Sequence, residues 1–532
     1  MKLYLDIDGV LLDYGNDTHA NHVGEFIDYI TSEYDCYWLT THCKGDSQTA
    51  IDYLSSYLSP EMISKLKSVK ATTWEDLKTE AIDFDHDFIW LDDYPFNAEI
   101  GVLEYYRVQD SLYRVNLSNE NELLNVIEWL KEKKKVKKSK RRKRVMVLTI
   151  IILALILGKL VWTSVACRNH GTFESEKKEL LQRRNYLINE VITRPQKLID
   201  KMPKAVGPQF QGEWALYSCS MLSASLVNLS QIYPETKDDA IKHIDELIQI
   251  VMSPEIREYD RMRWYEDPLE TLDGDESHVS YLSHLAWMIS GYKQLTVNSK
   301  YDALYHDLCE AMNRRILQSP YLNLETYPGE LIYVPDMLVA IVALSNYSKQ
   351  YSGKYYSTVH SWLLNMQDNW VDNESGLLVS YIPTNDSYMG RLPIKGSYSA
   401  LNCYYLTLID EDFARSQYEK LKQNFLQKRP IAGFKEYYDR KCWLGFDIDA
   451  GPILCNLSPT GTAFGLGSIT YFKDNDIRRD FLRTAELAGS TVTFKGKRHY
   501  LLANVALVGE AIAFAMRTAV PWTGYQTENR TK

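Results

Sequence analysis

Residues 145–167 form an apolar run of 23 residues interrupted only by Lys159, and eleven of the fourteen residues before it, 131–144, are lysine or arginine. About 20 helical residues cross the hydrocarbon core of a bilayer, so this run is long enough to span. A buried core helix competes as a reading, but core helices are rarely so uniformly apolar and are not preceded by a dense cationic block. Lys159 lies near the far end, where its ammonium can snorkel to the interface beside Trp162. The positive-inside rule holds the basic flank in the cytosol and places everything after Cys167 outside, periplasmic or extracellular. The run thus divides the chain: a domain over 1–130, a polybasic juxtamembrane linker over 131–144, a transmembrane helix over 145–167, a second domain over 173–522, and a disordered tail over 523–532. A chain of 532 residues exceeds what one core usually organises, which agrees with a multidomain reading. Its net charge of −10 is diffuse and makes general nucleic-acid binding an unlikely role.

The segment Ser164-Val165-Ala166-Cys167 loosely resembles a lipoprotein processing site, with Ser164 where a leucine is usual; an uncleaved anchor is the simpler expectation. Cys36 and Cys43 fall on the reducing side, and the other six cysteines where disulfides are permitted. No pair has metal-ligand spacing, and buried free thiols are expected for most of them.

Near the N-terminus, Leu3-Tyr4-Leu5 runs into Asp6-Ile7-Asp8-Gly9-Val10. Two carboxylates at a strand end repel, and a cation such as Mg²⁺ lets both stay ionised. Such a pair suits phosphoryl transfer, one carboxylate attacking phosphorus while the other handles the leaving group's proton. Tyr37-Trp38-Leu39 ends in Thr40-Thr41, hydroxyls suited to a phosphate oxygen, and Phe88-Ile89-Trp90-Leu91 ends in Asp92-Asp93. Between them Trp74-Glu75-Asp76-Leu77-Lys78 supplies a helical lysine.

The order of these pieces resembles the haloacid dehalogenase superfamily, and within it a compact bacterial subgroup associated with RNA-repair proteins. The resemblance covers about residues 1–130 and implies a Rossmann-like doubly wound α/β sheet with its site at the strand C-termini. It implies Asp6 as nucleophile, Asp8 as general acid/base, Thr40 as the phosphate-binding hydroxyl and Lys78 as the stabilising cation. Asp6, Asp8 (through its backbone carbonyl), Asp92 and Asp93 would hold Mg²⁺. Thr41 can replace Thr40, and Lys65, Lys67 or Lys70 can replace Lys78. The short spacings leave no room for a cap domain, so an open site is expected, suited to a phosphorylated macromolecule, with a phosphorylated metabolite as the alternative.

From Phe173 onward the hydrophobic periodicity is helical, with amphipathic stretches at 177–201, 214–233, 238–252, 278–295, 301–317, 336–351, 355–369, 397–408, 412–426 and 500–518. About a dozen helices over some 350 residues are economically arranged as an all-α (α/α)₆ toroid, and no regular period supports an open solenoid. Loops rich in aromatic, acidic and glycine residues would line one mouth, a composition suited to glycan or lipid. Asp447 and Asp449 are expected to face the cavity with Asp336, and Arg391 is a candidate partner. His278 and His284 read as packing histidines. The stretches 327–336, 370–378 and 447–452 resemble uncharacterised bacterial membrane-anchored toroid domains and, more distantly, the linalool dehydratase-isomerase group. That resemblance implies no particular chemistry, since toroids host many.

Together these readings lead to a membrane-anchored, Mg²⁺-dependent phosphatase of haloacid dehalogenase type, forming an aspartyl-phosphate, with an exported toroid that acts on or binds a glycan or lipid. The alternative makes the toroid a glycosidase- or lyase-type enzyme or a binding sensor, and the cytosolic domain regulatory and non-catalytic.

Overall fold

The computed structural model describes residues 1–13, 17–195, 198–202, 207–320, 322–384, 392–447 and 449–523. The expected disordered tail lies, from 524 on, outside the described residues. The chain forms two compact units, Met1–Leu155 and Ile156–Lys532.

The first unit is built on a four-stranded parallel sheet ordered Asp35–Trp38, Lys2–Leu5, Phe88–Asp92, Leu112–Arg114. The strand Phe88–Asp92 is buried at every residue, as expected of a strand in a parallel sheet covered on both faces. Helices α1 (Val23–Glu33), α2 (Ser47–Leu54), α3 (Pro60–Leu66) and α4 (Asn97–Tyr105) connect the strands. Asp46 caps α2 by accepting from the Gln48 amide, and Ser59 caps α3 ahead of Pro60, which fixes where each helix begins.

Helix α5 (Glu122–Ala166) is continuous for 45 residues. Its first turns bury Leu123, Val126, Ile127 and Leu130 in the core of the first unit, one helical face at i, i+3, i+4 and i+7 spacing. Its segment Val145–Ala166 is the candidate membrane span, 22 residues with a mean hydropathy of 2.6.

The second unit is mostly helical. After α6 (Phe173–Leu187) come α7 (Pro208–Ile232), α8 (Lys237–Val251), α9 (Pro254–Trp264), α10 (Val279–Leu295), α11 (Asp302–Gln318), α12 (Val334–Gln350), α13 (Tyr356–Asn369), α14 (Gly396–Leu406), α15 (Glu411–Phe425), α16 (Pro459–Tyr471), α17 (Asn475–Gly489) and α18 (Leu507–Arg517). Six of them, α7, α10, α12, α14, α16 and α18, pack in succession, and α18 returns to α7. This is a closed inner ring. Helices α8, α11, α13, α15 and α17 each pack behind an inner helix, and α6 packs against α18. Apart from α9, which follows α8 and also packs on α7, inner helices alternate with outer ones along the chain and bring their N-termini to one mouth.

Buried ion pairs tie the ends of the ring together. Arg478 of α17 holds Glu176 of α6 at 2.5 and 2.9 Å, Arg517 of α18 reaches Glu176 and Glu179, and Arg183 reaches Glu510 at 2.6 Å. Burial alone would raise the Glu176 carboxyl, but Arg517 and Arg478 hold it down at about 2.

The helices α9, α16 and α17 and the hairpins Leu444–Asp447/Gly451–Leu454 and Thr491–Phe494/Lys497–Tyr500 go beyond the sequence expectation. Helix α16 carries three glycines because neighbouring elements crowd it. A Cβ on Gly465 would lie 2.2 Å from the Phe434 ring, and one on Gly467 2.5 Å from the Met516 sulfur. The expected stretch 177–201 is shorter as a helix, ending at Leu187 and passing into a π-turn. All eight cysteines are free, and six of them are buried.

Candidate functional site

Two clusters of carboxylates stand out, one in each unit. In the first unit the sheet brings Asp6, Asp92 and Asp93 together, with ligand atoms within 4.8 Å of one another. Each follows or ends a strand, so their assembly is a direct consequence of parallel pairing. Gly9 makes it sterically possible: it sits at φ +72°, and a Cβ there would lie 2.1 Å from the Asp93 carboxyl. Lys78 bonds Asp6 and, at 2.6 Å, Asp92; it opens a 3₁₀ turn, Lys78–Ala81, not the expected helix. The alternative lysines are engaged elsewhere, Lys65 with Asp28 and Lys70 with Asp35, and Lys67 is exposed. Burial, then the Asp6 charge, raise Asp92 to about 7. Asp8 turns to other partners, His42 at 2.8 Å and Tyr53 at 3.3 Å, and its carboxylate is not part of the three-acid group. Thr40 is buried and Thr41 exposed. Three acidic oxygen donors fit a hard cation such as Mg²⁺, with Lys78 already offsetting one charge.

The second cluster lies at the mouth where the inner helices begin. Glu213 is in the second turn of α7, Asp336 in the first turn of α12, Lys395 caps α14, and the hairpin before α16 carries Asp447 and Asp449. Tyr217, one turn beyond Glu213, donates to Asp336 at 2.8 Å. Burial pushes Asp336 up to about 6, against its hydrogen bonds from Tyr217 and Thr326. Burial and then the Asp336 charge push Glu213 up to about 8. The Glu213 Oε2 is sealed from solvent with no hydrogen bond among the described residues. The Tyr327 hydrogen bond and the Arg263 charge pull the other way, and burial outweighs them, so this carboxyl is held protonated at neutral pH.

Lys395 donates to Asp447 and Asp449, each at 2.9 Å. Burial opposes its charge, but Asp449, Tyr381 and Asp447 outweigh it and raise the ammonium. The two aspartates differ in use. Asp447 accepts from the Asp449 and Ala450 amides and so shapes the turn, whereas the charge of Asp449 is near enough to raise both Glu213 and Asp336. Tyr333, Tyr381 and Tyr398 stand 5.1 to 6.1 Å apart, ring to ring, and Lys395 lies 5.3 Å over Tyr398. Glu436 accepts from Ser397 at 2.8 Å and is raised by burial to about 7. Arg263 lies flat on the Tyr327 ring at 3.4 Å.

Asp336, Asp447 and Asp449 therefore converge. The expected partner Arg391 lies outside the described residues, and the cation found between the aspartates is Lys395. His278 bonds Asp260 and Glu266, a packing role. His284 bonds Ser220 at 2.9 Å and lies 4.2 Å from the Tyr217 ring, backing the site. Glu213, Lys395 and Glu436 escaped the sequence reading; a lone lysine directly ahead of the uncharged helix 396–406 was the available signal.

No family model matches the chain, and no curated protein does. Among solved structures, a family 105 glycoside hydrolase from C. acetobutylicum matches with a TM-score of 0.42 and 10% identity, over 63% of this chain and 99% of that one. The match falls to a glycoside hydrolase rather than a phosphatase, and the expectation that this chain is a haloacid dehalogenase-type phosphatase is corrected accordingly.

Proposed function

We propose that the helical toroid is an acid–base enzyme of glycosidase or lyase type acting on an envelope glycan. We further propose that the N-terminal unit is a non-catalytic regulatory module of haloacid dehalogenase-type fold. The observation that supports the enzyme reading most is the pair of buried carboxyls at one mouth, Glu213 raised to about 8 and Asp336 to about 6. Two carboxyls whose environments separate their protonation divide the work of acid and base. Glu213 stays protonated near neutrality and serves as the acid at a glycosidic oxygen. Asp336 is ionised there and, oriented by the Tyr217 hydroxyl, takes the proton from water or from a sugar carbon. Tyr333, Tyr381 and Tyr398 offer faces on which a sugar ring stacks, and Lys395 fixes Asp449 beside them. The outer face of the hairpin, with Leu444, Phe446 and Leu454 exposed, suits a glycan carrying a lipid.

The basic flank before Val145–Ala166 supports export of the toroid, to the side where such glycans occur. In the cytosolic unit Asp6, Asp92 and Asp93 would hold Mg²⁺, which neutralises the cluster and completes a seat, with Thr40 and Lys78, for a phosphorylated macromolecule or metabolite that is bound and not turned over. The test is incubation of the purified full chain with a panel of envelope oligosaccharides, reading new reducing or unsaturated ends by mass spectrometry. Cleavage that disappears in Asp336→Asn supports the proposal; absence of cleavage across the panel, with no binding either, overturns it.

A further inference from the structure

The last turns of α5 are not free on all sides. Lys159 donates to the Glu486 carbonyl at 3.1 Å and to the Ser490 hydroxyl, Thr163 is buried, and Cys167 approaches the Leu482 carbonyl at 3.9 Å. These positions are four residues apart and share one helical face, and that face packs along α17. Around the rest of the helix Leu160, Val161, Trp162 and Val165 are exposed and apolar. Lys159 lies seven residues inside the end of the span, about 10 Å along the helix, so the end of α17 reaches down beside apolar helix.

Ser490 continues into the second hairpin, and the Leu501 amide donates back to the Ser490 carbonyl at 3.1 Å. Leu501, Leu502 and Val505 are about half to two-thirds exposed, at 48%, 56% and 66%, while Ala503 between them is buried. The same hairpin exposes Phe494 at its tip, where Lys495 lies over the ring and Lys497 follows. Leu501 and its apolar neighbours, one hydrogen bond from the residue that anchors Lys159, and Phe494 with Lys495 at the hairpin tip match an edge immersed in the headgroup and acyl boundary. Interfacial elements bury apolar faces to about 5–10 Å.

We infer that the toroid docks on the lipid bilayer through Leu501, Leu502, Val505 and Phe494, beside its own membrane span. The enzyme would then lie against the membrane surface rather than float on a tether. The inference rests on the reading of Val145–Ala166 as a membrane span, and the test separates the two. In full chain with Cys442 and Cys455 replaced by serine, spin labels are placed at Leu157→Cys, Leu502→Cys and Tyr356→Cys, and each is measured in nanodiscs of phosphatidylethanolamine and phosphatidylglycerol. Expected is broadening by oxygen with loss of broadening by a water-soluble nickel chelate at 157 and 502, and strong broadening by the chelate at 356. Chelate broadening at 502 equal to that at 356, with 157 in lipid, overturns the docking alone. Shielding of 502 from both reagents means a protein covers the patch and also overturns it. Chelate broadening at 157 removes the span and the docking together.

Discussion

Both units gather carboxylates around a buried lysine, yet the two clusters have opposite chemistry. In the sheet unit Lys78 sits among all the acids, bonding Asp6 and Asp92, and the set is poised to hold a cation. In the toroid Lys395 bonds Asp447 and Asp449, while Glu213 and Asp336 rise to about 8 and 6, burial outweighing Arg263 at the one and the Tyr217 and Thr326 hydroxyls at the other. Burial is common to both clusters and raises Asp92 to about 7 even beside Lys78. What differs is that a lysine bonds the raised carboxyl directly in the sheet unit and, among the described residues, does not in the toroid.

The largest effect expected of a single change in the toroid is on turnover. Asp336→Asn should lower kcat by about 10²- to 10⁴-fold, the usual contribution of a positioned proton-transfer group, with little change in melting temperature. The pH dependence sharpens this assignment. Turnover should rise as Asp336 loses its proton through about pH 6 and fall as Glu213 loses its proton through about pH 8, so the optimum lies between. A rate still climbing above pH 9 would remove Glu213 as the required acid.

In the sheet unit the expected change is in stability. Mg²⁺ at a hundredfold its dissociation constant should stabilise the fold by about 2.7 kcal/mol, read as an upward shift of the melting transition that Asp92→Asn abolishes. An unchanged transition in the unaltered chain would remove the cation from the account.

Lys395→Met should destabilise the toroid by about 2 kcal/mol, less than for a fully buried pair because Asp449 is partly open to solvent. The loss should be largely recovered in the triple variant with Asp447→Asn and Asp449→Asn, read by thermal denaturation. If Lys395→Met melts like the parent, the pairs in the hairpin are incidental.

The two clusters also differ in how far they were legible beforehand. Asp6, Thr40 and Asp92 follow or end short apolar runs, and parallel pairing places such positions side by side whatever the rest of the fold does. The inner helices α10, α12 and α14 showed their periodicity, and their ends fell within two residues of expectation, whereas α7 begins six residues earlier than expected, at Pro208, so that its unforeseen first turns carry Glu213. Helix α16 did not, because Gly461, Gly465 and Gly467 weaken helix propensity and only the approach of Ser397, Phe434 and Met516 explains them. Glu213 carries no local pattern, and its approach to Asp336, far along the chain, depends on ring closure, which periodicity does not encode.

The central claim is that the toroid mouth, and not the sheet, does the chemistry. It is tested most directly by measuring glycan cleavage by the full chain, by Glu213→Gln and by Asp6→Asn under identical conditions. The account predicts that Asp6→Asn retains the parent's cleavage rate while Glu213→Gln loses it by about 10²-fold or more. Full cleavage by Glu213→Gln, or its loss in Asp6→Asn, would contradict it.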